Sequence, residues 1–308
     1  MCGIVGFMYK NGAKAVPLGN RLSAMAGILG SRGLDSTGMA LYGKLGRDHL
    51  VLRAQLAAES GEEGEAKLGR LRDRVGRFAT VDKAIWTRNL ARVEMSGVEK
   101  PDDLDLIRRI TKAAEEADDI QVFSIGTSME IIKDTGGAEE LHVYNVEKFQ
   151  GTHGLAHTRL ATESIVNTCY SHPFWARPFA DIAVVHNGQL TNHNILRRRF
   201  QQRGYDFLTT NDSEVIAVYI ADKLLHGKTL EEALTDSITE LDGTFTYLVA
   251  TSDSLGFAKD RFATKPLVVA ENDAYVALAS EEVALAPVIT SNTKVYEPTA
   301  RSVRTWSR

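Results

Sequence analysis

A chain of 308 residues, 44% of them apolar, is long enough to bury a substantial core as one large domain or two small ones. Its 36 Lys and Arg against 40 Asp and Glu leave a formal net charge of -4, which supplies no basic field for a nucleic acid. No stretch approaches the roughly 18 uninterrupted apolar residues of a membrane span, and the opening residues lack the pattern of a secretory signal. A cytoplasmic protein without nucleic-acid or membrane partners is therefore expected.

Taken in chain order, the apolar run at 2–9 predicts a strand, followed by a helix around 18–29, a loop at 32–38 and a second strand near 39–42. From about 47 to 119 the pattern changes. Residues 58–77 are dense in Glu, Lys and Arg, and 104–117 carry apolar residues at helical spacing, so an inserted helical segment is expected. Its interspersed charges read as a solvated face. Period-two runs at 120–125, 129–133 and 141–146 predict strands, and 154–159 reads as a buried strand.

The β-formers at 182–185 deliver His186-Asn187-Gly188 to a strand end, and Asn192 is placed to cap a helix beginning near Asn194. Asp212-Ser213-Glu214 opens a helix through 215–225, with Asn211 and Asp212 equally suited to its N-cap. A further helix is expected at 230–241, then strands at 244–251, 255–259, 267–270 and 275–279. Helices and strands are grouped rather than alternating, which favours an α+β class over a doubly wound parallel sheet.

The chemistry is concentrated at the start. Removal of Met1 from Met1-Cys2-Gly3 would leave Cys2 with both a thiol and a free α-amine, so that one residue supplies nucleophile and base. An α-amine titrates near ~7.7 to 8, close to working pH, whereas a lysine amine stays mostly protonated. Taken alone, a buried strand-leading cysteine is the simpler account of Cys2. Cys169, the other cysteine, reads as a buried bystander, because pairing it with Cys2 would oxidise the proposed nucleophile.

Five motifs change that balance. Cys2-Gly3-Ile4-Val5-Gly6, Arg32-Gly33-Leu34-Asp35-Ser36-Thr37-Gly38, His157-Thr158-Arg159-Leu160-Ala161-Thr162, His186-Asn187-Gly188 and Thr210-Asn211-Asp212-Ser213-Glu214 occur in this order. Together they resemble the class II glutamine amidotransferases, N-terminal-nucleophile hydrolases that release ammonia from glutamine. The resemblance runs from residue 2 to about 285, through Lys265-Pro266-Leu267 and 279–285, and is silent over 47–119. It implies a four-layer αββα sandwich of two antiparallel sheets between helical layers, and one amidotransferase domain over 2–308 with the insertion inside it.

The resemblance also implies roles. Cys2 is the nucleophile, and the Asn187 side-chain amide with the Gly188 backbone N–H forms the oxyanion hole. Arg159, assisted by Thr162, grips the glutamine α-carboxylate, Asp212 takes its α-ammonium, and Arg32 belongs to a loop that closes over the substrate. Local alternatives exist for each: an Asn-Gly turn, an arginine paired to a structural carboxylate, a helix cap and a surface loop. Leu160, Glu163 and Ser164 depart from the family pattern, which bears on pocket shape. His172-Pro173 is implied to shape the pocket wall.

The histidines at 153, 157, 172, 186 and 193 lack a metal-ligand spacing, so no metal is expected. The sequence has no phosphate-binding or dinucleotide fingerprint, so the ammonia acceptor is expected to bind elsewhere. The nearest resemblance is to separate glutaminase subunits of glutamate-synthase-like and N-methylglutamate synthase complexes. It implies no cofactor in this chain, with any FMN and iron-sulfur cluster carried by the partner synthase subunit. A free-standing amidase, or a non-catalytic regulatory subunit on the same scaffold, are the rival classes.

Overall fold

A computed structural model describes residues 2–10, 12, 16–44, 46, 48–116, 120–160 and 167–308, with the backbone alone at 31 and 32. The chain opens with β1 (Gly3–Tyr9), α1 (Leu18–Ile28) and β2 (Ser36–Tyr42), then runs through β3 (Leu50–Leu56), α2 (Gly61–Val75), β4 (Thr80–Thr87), β5 (Leu90–Ser96) and α3 (Leu104–Ala114). Next come β6 (Ile120–Gly126), β7 (Met129–Thr135), β8 (His153–Arg159), β9 (Phe174–Trp175) and β10 (Ala183–Leu190). The last part holds α4 (His193–Gln202), α5 (Asp212–Leu225), α6 (Leu230–Glu240), β11 (Gly243–Ala250), β12 (Ser254–Lys259), β13 (Val268–Glu271), β14 (Tyr275–Ala279), β15 (Lys294–Tyr296) and β16 (Val303–Ser307).

Two antiparallel sheets stack face to face. The first has seven strands in the order β15-β13-β14-β1-β8-β2-β7, and the second has five in the order β16-β12-β11-β10-β9. The contacts between them run from β1 and β8 to β10, β11 and β12. Helix α1 covers the outer face of the first sheet, and α5 and α6 cover the second, giving the expected αββα layering. β1 and β8 are buried along their whole length, as strands covered on both faces must be; β1 reads as a continuous apolar run, whereas β8 buries His153, His157, Thr158 and Arg159 among its apolar residues.

The segment expected to be a helical insertion is only partly helical. Its two helices, α2 and α3, lie against a third, four-stranded antiparallel sheet in the order β4-β5-β3-β6. β4 stands at the end of that sheet and is buried nowhere along its length. Its short alternation was outweighed in the sequence by the charge density of α2. The stretch at 141–146, expected to be a strand, instead lies in two 3-10 turns, Ala138–Tyr144 and Val146–Lys148, joined at Asn145 with φ of 56°.

Sheet three is tied to sheet one by a buried ion network. Glu130 on β7 accepts from Arg53 Nε at 2.8 Å and from Arg92 Nε and Nη2 at 2.7 and 2.8 Å. Burial would raise the carboxyl pKa of Glu130, but the two guanidiniums outweigh it and hold the pKa below its ordinary value. Removing Glu130 leaves Arg53 buried without the carboxylate it pairs with, while Arg92 keeps its pair with Glu94. Glu130→Ala should therefore lower unfolding stability by about 3 to 5 kcal/mol, measured by urea titration. A loss below about 1 kcal/mol would mean that water reaches Arg53.

Candidate active site

Cys2 immediately precedes β1, which lies between β14 and β8 in the interior of the first sheet. The side chain is partly exposed, and its thiol donates to the Leu160 carbonyl at 3.7 Å. From the facing sheet, β10 brings Asn187 against the same residue: Asn187 Nδ2 donates to the Cys2 carbonyl at 3.0 Å. A carboxamide nitrogen carries two hydrogens, so this bond leaves a second for another acceptor. Gly188 follows with φ of +141°, and a Cβ there would stand 2.0 Å from the Thr244 carbonyl oxygen. Only glycine fits this backbone.

Arg159 closes β8 and is buried. Burial lowers its pKa, while the charges of Cys2 and Asp35 act in the opposite direction, which places the guanidinium within electrostatic reach of both. The loop carrying Arg32 presses on the same strand end. Asp35 N–H donates to the Arg159 carbonyl at 3.1 Å, and a Cβ on Gly33 would lie 2.3 Å from the Arg159 carbonyl carbon. The Arg32 side chain lies outside the described residues, as do Thr162, Glu163 and Ser164.

Asp212 is the first residue of α5, and Asn211 is its N-cap, its side chain accepting from Ser213 N–H at 2.8 Å. That frees the Asp212 carboxylate from capping. Its Oδ2 accepts from Leu190 N–H at 2.8 Å, which joins the end of β10 to the start of α5. Asn192 holds the N-cap position of α4 but makes no capping bond with its side chain. Its Nδ2 donates to the Glu240 carbonyl at 2.9 Å and its Oδ1 accepts from Asp242 N–H at 3.1 Å.

The structure thus gathers Cys2, Arg159, Asn187, Gly188 and Asp212 at one end of the sandwich, on strand ends and a helix start drawn from both sheets and the helical layer behind. Two groups escaped the sequence reading. Ser213 reads there as an ordinary helix-start residue, yet it is buried with its hydroxyl 2.9 Å from both His172 Nε2 and His186 Nδ1. Lys133 is a buried strand lysine over the Phe123 ring at 4.3 Å, its Nζ donating to the Ser171 carbonyl at 2.9 Å. Nothing in the local pattern signals either one.

A family model described as a glutamine amidotransferase domain matches residues 157–287. A putative glutamine amidotransferase of Methanothermobacter thermautotrophicus is 38% identical over 306 residues, covering 97% of this chain and 97% of that protein. This chain belongs to the class II glutamine amidotransferases. The glutamine amidotransferase-like protein GlxB of Rhizobium meliloti is 36% identical over 99% of this chain and 98% of its own length. In fold, this amidotransferase is similar to a glutamine phosphoribosylpyrophosphate amidotransferase from B. subtilis, with a TM-score of 0.55 at 16% identity. The similarity covers 99% of this chain and 49% of that one.

Beside Asn187 and Ser213 of the amidotransferase lie the rings of His157, His172 and His186, all buried, with the first two stacked at 4.0 Å. Among the described residues no group of three or more His, Cys, Asp and Glu is arranged to hold a metal. Burial pushes the His157 pKa down to about 3, against weak approaches by the His186 backbone and Asn187 side chain that fall short of hydrogen-bond geometry. Burial likewise pushes His153 down to about 4.

These shifts fix a pH dependence. An unfolded histidine titrates near about 6.5, so between there and about pH 4 the unfolded chain binds protons that folded His153 and His157 refuse. Stability is therefore present above about pH 6.5 and is lost as pH falls through that window, by up to about 1.4 kcal/mol per pH unit for each histidine. Urea midpoints measured between pH 7 and 4.5 should fall, and His153→Gln should flatten the slope. An unchanged slope in that variant would count against the buried neutral state of His153.

Proposed function

We propose that this amidotransferase is a glutaminase subunit that hydrolyses glutamine to glutamate and ammonia and delivers the ammonia to a partner synthase of glutamate-synthase or N-methylglutamate-synthase type. The observation that carries the hydrolytic part is the bond from Asn187 Nδ2 to the Cys2 carbonyl at 3.0 Å. It holds a side-chain donor, with Gly188 next to it in the chain, against the residue that acts in this reading as both nucleophile and base once Met1 is removed.

In this reading the Cys2 α-amine takes the thiol proton as sulfur attacks the glutamine amide carbon. The carbonyl oxygen becomes an oxyanion held by the Asn187 amide and Gly188 N–H. The amine then returns the proton to the departing nitrogen, the carbon-nitrogen bond breaks, and ammonia leaves a glutamyl thioester. Water, deprotonated by the same amine, attacks the thioester and releases glutamate and the Cys2 thiol. Arg159 and Thr162 bind the α-carboxylate, Asp212 the α-ammonium, and the Arg32 loop closes over the substrate.

The partner synthase carries the acceptor chemistry, together with any FMN and iron-sulfur cluster, and this chain contributes no cofactor. The segment 47–119, which carries α2, α3 and three strands of sheet three, supplies part of the docking surface. The test is to purify the tagged chain from its native cell, identify co-purifying proteins and measure glutamate release with and without them. Co-purification of a synthase whose docking suppresses idle hydrolysis supports the reading. Full turnover by a chain that purifies with no partner overturns the subunit assignment in favour of a free-standing amidase.

A further inference from the structure

The Ser213 hydroxyl is the meeting point of three contacts: His172 Nε2 at 2.9 Å, His186 Nδ1 at 2.9 Å and Asp212 Oδ1 at 3.3 Å. A hydroxyl has one proton to give and two lone pairs to receive with. An ionised carboxylate only accepts, so the contact with Asp212 is a hydrogen bond only if the Ser213 proton points there. Both imidazoles must then donate. This is the one assignment that makes all three contacts favourable: His172 carries its proton on Nε2 and His186 carries its proton on Nδ1.

The remaining ring atoms agree independently. His172 Nδ1 and His186 Nε2 are buried and have no hydrogen-bond partner among the described residues. In the deduced tautomers each is a bare lone pair rather than an orphaned N–H, and buried N–H groups without partners are the rarer case in folded proteins. Both rings are held neutral, since burial lowers the pKa of each, so neither has a second proton to spare. His186 lies two residues from Gly188 on the same strand, and its Nε2 is 2.9 Å from where a Gly188 Cβ would stand. The lone pair therefore lies next to the glycine of the proposed oxyanion hole.

We infer that Ser213 is a positioning residue. Its hydroxyl orients the Asp212 carboxylate toward the substrate ammonium and locks His172 and His186 in single, opposite tautomers, so that one buried hydroxyl couples the ammonium end of the pocket to the strand bearing Asn187 and Gly188. The inference rests on the assignment of Asp212 to the glutamine ammonium. Asp212 keeps its bond from Leu190 N–H without Ser213, so losing the hydroxyl releases one carboxylate oxygen and leaves the helix start intact.

Two measurements on the full chain test it. Long-range nitrogen-proton NMR on wild type reads the tautomers without any reference to activity, and should show His186 protonated at Nδ1 and His172 at Nε2. Finding His186 protonated at Nε2 would overturn the hydroxyl assignment, even in a preparation that hydrolyses no glutamine. For Ser213→Ala, the KM for glutamine should rise about tenfold or more, the usual loss of a hydrogen bond to a charged group, while kcat changes by less than about threefold. In an Asp212→Asn background the same substitution should change KM by less than about twofold, because the carboxylate it orients is gone. An equal effect in both backgrounds, or an effect confined to kcat, would show that Ser213 does not act through Asp212. Absence of glutaminase activity in wild type would instead count against the function proposed above and leave the NMR result to decide.

Discussion

Cys2→Ala should abolish glutamine hydrolysis, by on the order of 10⁴-fold or more, while leaving the fold unchanged. Losses of that size accompany removal of a covalent nucleophile when the remaining groups act only in concert with it. Stability should be conserved because the Cys2 side chain is partly exposed and, among the described residues, its thiol makes a single long hydrogen bond, to the Leu160 carbonyl at 3.7 Å. Neither a core cavity nor an orphaned buried group results, the usual sources of large destabilisation. The same reasoning requires the mature protein to begin at Cys2. Intact mass should show loss of Met1, since the lone pair of an acylated nitrogen is delocalised into the amide and cannot act as base. A fully active protein retaining Met1 would sink the single-residue nucleophile and base.

The second large effect separates the two ends of the pocket. Asn187→Ala should lower kcat by roughly 10² to 10³ with little change in KM, the usual cost of one oxyanion donor, because that interaction strengthens only as charge develops on oxygen. Arg159→Ala and Asp212→Ala should instead act mainly on KM, since the charges they meet are present in substrate and transition state alike. Steady-state kinetics on the three variants decides. Unchanged KM in both charge variants would remove Arg159 and Asp212 from the pocket. A part of the Asn187 loss reflects its bond to the Cys2 carbonyl, which the alanine variant removes as well.

The strands that carry the chemistry were legible in the sequence because they are buried. β1 and the first half of β10 sit between other layers and carry the apolar, β-forming runs that suit such places, whereas β8 is buried with histidines, a threonine and an arginine in it. The helix starts were less so: Asn211 and Asp212 were equivalent by residue type, and only the Asn211 bond to Ser213 N–H separates them. Sheet three escaped because β4 is half exposed and its alternation spans only eight residues, next to a helix whose charges dominate the window. Ser213 escaped for a different reason. A serine at a helix start is the most ordinary of residues, and its partners His172 and His186 lie 41 and 27 positions away, so only folding makes the group visible.

The pairing of β1 with β14 orders events in time. Val5 to Tyr9 align with Ala279 to Tyr275, and Ser280 seals the strand start by donating its N–H to the Ile4 carbonyl at 3.0 Å and receiving Ile4 N–H on its hydroxyl at 3.2 Å. A ribosome must therefore add some 270 residues after the nucleophile before the strand beside it exists. During that interval β1 has β8 on one side and an open edge on the other, so the surroundings of Cys2 stay incomplete. The order of synthesis thus puts the completion of this sheet near the end of the chain: the strand made first is enclosed on both edges only when the late strand β14 arrives.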